Sequence, residues 1–124
     1  MATDQQGRSA ARWVMAGLIA LAAGAKIAHG WRNSMMLPEW AFYTSAVTEL
    51  AIASLFVGAP RLGAAAAAIF FSLGLLWALM RNDGDCGCLG SISMARRQQI
   101  VLCCLGLAGA ALTARSSISA DRSR

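Results

Sequence analysis

Four apolar runs, near positions 10–28, 41–58, 62–80 and 99–114, make up most of the sequence and are separated by polar or aromatic stretches. The first three have about 18 to 20 residues, the length that crosses ~30 Å of hydrocarbon at ~1.5 Å per residue, and the fourth is a little short. The pattern predicts an all-α membrane protein, a four-transmembrane-helix bundle with a Cys-x-Cys loop before the last helix. Residues 1–8 then form a polar N-terminal tail, 9–114 the four-helix transmembrane domain, and 115–124 a polar C-terminal tail with four serines.

The punctuation between the runs supports this division. Arg12 and Trp13 stand at the entry of the first run, and Ala23-Gly24-Ala25 gives it the small-residue end of a secretory signal peptide. Against that alternative stand the length of the run and Lys26 just past the cleavage point. Trp31 and Trp40 suit a membrane interface, and Pro38 between them separates two helices. Gly58 and Pro60 close the second run, and Arg61 marks a turn so short that the second and third spans should be antiparallel neighbours. Ala64 to Ala68 in the third run, with Gly106 and Gly109 in the fourth, offer the small surfaces through which membrane helices approach closely.

Composition agrees: 57% of the residues are hydrophobic and 14% charged, which is not the make-up of a soluble domain. The net charge of +5 comes from arginines at the ends of apolar runs and not from a basic, aromatic-laced face, so the charge speaks for a lipid bilayer as partner and not for nucleic acid. Four crossings put both termini and Arg61 on one side and the segment holding both motif cysteines on the other. Arg8, Arg12, Arg61, Arg115, Arg122 and Arg124 then face Arg32, Arg81, Arg96 and Arg97. The larger group marks the inside, which places the cysteine loop outside, and for a bacterial inner membrane that means an oxidising periplasm.

The candidate chemistry centres on Asp85-Cys86-Gly87-Cys88-Leu89-Gly90. A disulfide between Cys86 and Cys88 closes a very small ring, departs from relaxed geometry and should exchange readily. Gly87 can adopt the dihedrals such a ring demands. Asp83 and Asp85 oppose thiolate formation, so no strongly acidic thiol is expected. As a metal site the pair is short of ligands: two thiolates do not close a zinc or iron–sulfur centre, and His29 lies in another connection, which leaves a soft cation such as copper(I) as the metal alternative.

Cys103 and Cys104 are adjacent on the fourth helix, about 100° apart, so they cannot face one partner together. They fill apolar space, or one of them is a resolving thiol for the loop pair, at a depth of about 7 to 8 Å that the loop reaches only by dipping inward. Lys26 and Glu49 are the ionisable residues inside apolar runs. A lone charge there is costly, so each should face the bundle interior and find a partner. Lys26 has snorkelling to the interface as its alternative. Glu49, mid-span, is expected to bond Lys26 or a hydroxyl such as Ser72, and pairing with Lys26 is expected to need a first helix that continues past His29.

Four spans, Gly24-Ala25-Lys26 late in the first, Glu49-Leu50 in the second followed by Gly58, and Cys86-Gly87-Cys88-Leu89-Gly90 before the fourth resemble the MauE-type methylamine-utilisation membrane proteins, relatives of the DoxX family. The likeness covers residues 10–114, and the Cys-Gly-Cys-x-Gly element is its most specific part; Leu89 stands where family members more often carry Phe. The resemblance implies an inner-membrane helical bundle that supports disulfide formation or redox maturation of exported proteins. Its partner would be an exported client or a periplasmic thiol-disulfide protein, and the DoxX kinship makes exchange with quinone plausible, although no quinone-binding motif is visible.

The residues and the resemblance lead to one expectation: a Cys86/Cys88 pair that shuttles between dithiol and disulfide through a mixed disulfide. Lys26 and Glu49 would fix helix packing or relay the protons that thiol oxidation releases. Two rivals of other classes remain, a small transporter that uses Glu49 and a non-catalytic assembly subunit that needs no thiols.

Overall fold

The computed structural model describes residues 2–31, 38–80 and 95–122. These form four α-helices, α1 (Ala2–His29), α2 (Glu39–Gly58), α3 (Pro60–Met80) and α4 (Arg96–Asp121). All four are long and apolar enough to cross a bilayer, over Ser9–His29, Glu39–Gly58, Pro60–Met80 and Arg96–Ser119. The chain is an all-α, multi-pass membrane protein, as its hydrophobic pattern predicts. Cys86 and Cys88, in the stretch between α3 and α4, lie outside the described residues.

One spacing runs through all four helices. The buried positions Phe42, Ala46, Glu49, Ala53 and Phe56 of α2 are four, three, four and three residues apart. In α4 the same interval joins Gln99, Cys103, Gly106, Ala110 and Thr113, and in α1 it joins Ala16, Ile19, Ala23 and Lys26. On α3 it passes through Ala64, Ala67, Phe71, Gly74 and Ala78. A repeat of 3.5 residues keeps each seam facing its neighbour when helices cross at the shallow left-handed angle common in membrane bundles. The seams close a ring: α1 packs on α2, α2 on α3, α3 on α4, and α4 on α1. Large apolar side chains off the seams, among them Leu18, Val47, Leu73 and Leu105, are exposed, the arrangement of a bundle whose outer surface meets lipid.

Small residues set the distance between helices. A Cβ at Gly63 would fall 2.7 Å from the backbone nitrogen of Phe56, and one at Gly106 would fall 2.6 Å from the Phe71 ring. Gly109 sits against Met15 of α1 in the same way. Of the small residues expected to permit close approach, Ala64 and Ala67 are buried in the seam and Gly106 and Gly109 meet neighbouring helices, whereas Ala65 is exposed.

The helix ends follow from local chemistry. Gly30, at φ +70°, ends α1 in the left-handed region, and its N–H bonds the Lys26 carbonyl at 2.9 Å. Pro38 occupies the N-cap of α2, followed by Glu39 in the first turn, where an acid suits the helix dipole. A single residue, Ala59, separates α2 from α3, and Pro60 opens α3 at the position where its missing N–H costs nothing.

Two helices extend beyond the spans expected of them. Residues 2–8, read as a polar tail, are helical, since elongating an existing helix is far easier than nucleating one. Likewise α4 begins at Arg96 and continues to Asp121 through the serine-rich end. There Ser116 and Ser117 donate to the carbonyls of Thr113 and Ala114, each at 2.8 Å, which satisfies the hydroxyls inside the helix.

Polar links tie both ends of the bundle. Arg61 Nη2 donates to the Ser117 carbonyl at 3.0 Å, joining the α2–α3 turn to the end of α4. At the opposite end Arg96 Nη2 donates to the Leu79 carbonyl at 3.0 Å, satisfying one of the open acceptors that terminate α3. The two flanks of the cysteine segment are therefore held together, at the end of the bundle where α1 finishes and α2 starts. Trp31, Trp40 and Trp77 share that end, consistent with an interfacial belt.

Candidate functional site

Within the described residues, the densest buried polar chemistry is between α1 and α2. Lys26 Nζ donates to Glu49 Oε1 and, at 3.1 Å, to Ser45 Oγ. Ser45 in turn donates to the Phe42 carbonyl at 2.7 Å. Lys26 and Glu49 keep only 3% and 5% of their surface exposed, so this is an interior ion pair and neither side chain snorkels.

The pair forms without the helix extension expected for it, because α1 stops at His29 and Gly30 turns the chain. Side chains on a helix lean toward its N-terminus. On α1 that direction takes Lys26 inward from the end of the span, and on antiparallel α2 it takes Glu49 outward to meet it. Ser72, the hydroxyl expected as an alternative partner, is exposed on α3, and Ser45 fills that place. Ser45 precedes Glu49 by four residues, so helical spacing alone sets both on one face.

The pair satisfies only half of the carboxylate. Among the described residues Glu49 Oε2 is buried and has no hydrogen-bond partner. The seam positions next to Glu49 on α2, Ala46 and Ala53, are apolar and buried. A carboxylate oxygen held this way can accept a proton or a hydrogen-bond donor, and leaving it bare costs about 1–3 kcal/mol.

The two cysteines of α4 part as their spacing requires. Cys103 is buried in the seam, its Sγ packed on Gly74 of α3, where an added Cβ would come within 3.3 Å. Cys104 is exposed on the outer face. With α4 starting at Arg96, Cys103 lies about 10 Å along the helix from its first residue, deeper than the sequence implied. The buried polar Gln99 and Thr113 of α4 were not singled out from the sequence; the four-and-three spacing from Cys103 would have found both. Among the described residues no three His, Cys, Asp or Glu side chains gather as a metal-binding group.

Comparison with protein-family models, curated proteins and solved structures gave no match.

Proposed function

We propose that this chain is a thiol–disulfide redox protein of the bacterial inner membrane, of the MauE/DoxX type, whose Cys86/Cys88 pair promotes disulfide formation or redox maturation in exported proteins. The observation that carries the reading is the Cys-Gly-Cys element set between the two last spans of a four-span chain. Supporting it, the Arg96–Leu79 bond joins the last turn of α3 to the first turn of α4, the two helix ends between which that segment runs.

In this reading a client thiolate attacks one sulfur of the Cys86–Cys88 disulfide, forming a mixed disulfide and releasing the other cysteine. A second client thiolate then attacks the mixed disulfide, so the client leaves with its two thiols oxidised and Cys86 and Cys88 remain as the dithiol. Restoring the disulfide removes two electrons and two protons. A membrane quinone is the acceptor class that the DoxX resemblance implies.

The transporter reading gives Glu49 a cation or a proton to bind; Lys26 already supplies a cation to Glu49 Oε1, which leaves little charge for a metal cation and a proton as the cargo of that reading. Trapping native membranes with a thiol-reactive mass tag, with and without reductant, tests the redox reading. Cys86 and Cys88 should be protected before reduction and tagged after it; a pair tagged fully without reductant sinks the reading.

A further inference from the structure

The Lys26–Ser45–Glu49 cluster is a line as well as a pair. It starts at the Phe42 carbonyl, one turn inside the first residue of α2, passes through Ser45 Oγ and Lys26 Nζ, and ends on the Glu49 carboxylate. Phe42 and Glu49 are seven residues apart, so the line descends about 10 Å along α2. It begins at the end of the bundle that holds the flanks of the cysteine segment, and it finishes mid-span on Glu49 Oε1, while the other oxygen of that carboxylate, Oε2, is satisfied by no described group.

Among the described residues of the helices packed against α2, no other charge competes at that oxygen. α1 and α3 pack on α2. From α1 the facing charge is Lys26, with His29 exposed one turn further on. The ionisable residue of α3 is Arg61, exposed at the opposite end and bonded to the Ser117 carbonyl. On α2 itself Glu39 is exposed in the first turn. A carboxylate balanced by one ammonium is close to neutral as a unit, and it can take a proton on its bare oxygen when negative charge moves into the hydrocarbon nearby.

We propose that Glu49 Oε2 is a proton-binding site whose loading is linked to the thiol state of Cys86 and Cys88. The proposal rests on the redox reading above and assigns one proton acceptor of that reaction. When the dithiol is reoxidised, two S–H bonds break, one S–S bond forms, and two electrons pass to a membrane quinone, which becomes the quinol by taking up two protons. Glu49 accepts one of the released protons as an O–H bond on Oε2 and gives it up when an O–H bond forms on the reduced quinone; the second thiol proton leaves to water, and the second quinol proton is taken from water. Lys26 and Ser45 hold the carboxylate in place and carry the hydrogen-bonded line toward the surface.

The test leaves Glu49 intact. The sequence contains two glutamates, Glu39 and Glu49, so full-length protein made with side-chain carboxyl-labelled glutamate in an E39Q background carries the label among its glutamates at Glu49 alone. In liposomes, the infrared or NMR carboxyl signal is followed from mildly acidic to mildly basic pH, in the thiol-oxidised and thiol-reduced forms and in a Cys86→Ser, Cys88→Ser variant. The expected result is a signal that moves between its ionised and protonated positions, with a midpoint that shifts on thiol reduction and a shift that is lost in the serine variant. A signal indifferent to pH, or one with the same midpoint in both redox forms, overturns the proposal. If mass tagging shows the thiols cycling normally beside a silent carboxyl, this proposal fails and the redox reading stands; thiols that never oxidise sink that reading instead.

Discussion

Lys26 and Glu49 reach each other because α1 and α2 run in opposite directions, which turns the common lean of helical side chains into convergence. In a parallel pair the same two residues would lean the same way. The bond is thus a statement about topology: it fixes the vertical register of the first two spans, since a slip of one turn would carry Glu49 away from Lys26 by about 5.4 Å.

Breaking the pair on one side should be more damaging than removing both partners. Lys26→Met or Glu49→Leu alone leaves a buried charge without a counter-charge, and each is expected to lower stability by about 3–5 kcal/mol. The double variant should recover much of that loss, giving a coupling energy well above ~0.5 kcal/mol in a double-mutant cycle. Thermal or denaturant unfolding in detergent measures it, and additive effects would mean that the two side chains do not interact.

Ser45 and Ser72 provide a matched comparison. Ser45→Ala removes an acceptor from Lys26 and should cost about 1 kcal/mol. Ser72 is exposed on α3, so Ser72→Ala should stay within about 0.5 kcal/mol of the parent. The same unfolding assay ranks them, and an equal loss at both positions would displace Ser45 from the cluster.

Three glycines should differ in a stated order when changed to alanine. At Gly63 the new Cβ meets the backbone of Leu55 and Phe56, which has no side-chain freedom to yield. At Gly106 it meets the Phe71 ring, and at Gly109 the flexible end of Met15. Gly63→Ala should therefore cost most, toward or above the ~3 kcal/mol end of overpacking penalties, Gly106→Ala less, and Gly109→Ala least. A Gly109 variant less stable than the Gly63 variant contradicts the α2–α3 approach described above.

Much of the fold is legible in the sequence, and particular residues show why. The four spans follow from length and apolarity, and Pro60 and Gly58 place one turn to within a residue or two, since these residues constrain backbone dihedrals locally. Lys26 and Glu49 could be marked as partners because bare charge in hydrocarbon is costly. What the sequence hid was directional: that Lys26 would reach Glu49 from a helix ending at His29 depends on the antiparallel lean of both side chains. The choice of Ser45 over Ser72 depends on the rotation of α3 about its axis. The helical run of residues 2–8 and 115–121 was also missed, because composition reports polarity and says little about whether a helix already formed will continue through it.

Cys103 and Cys104 give the sharpest test of the α4 seam, since adjacent residues should behave as different chemical environments. In a Cys86→Ser, Cys88→Ser background these are the remaining cysteines. Cys104 faces outward, whereas Cys103 is packed on Gly74 and can react only when α3 and α4 part locally. An apolar alkylating reagent in detergent should modify Cys104 at least about tenfold faster, because each ~1.4 kcal/mol of opening free energy slows the buried site by a factor of ten. Mild denaturant should narrow the gap as the seam loosens. Equal rates under native conditions would mean that Cys103 is reachable, which would undo the α3–α4 packing and favour Cys103 as a resolving thiol for Cys86 and Cys88.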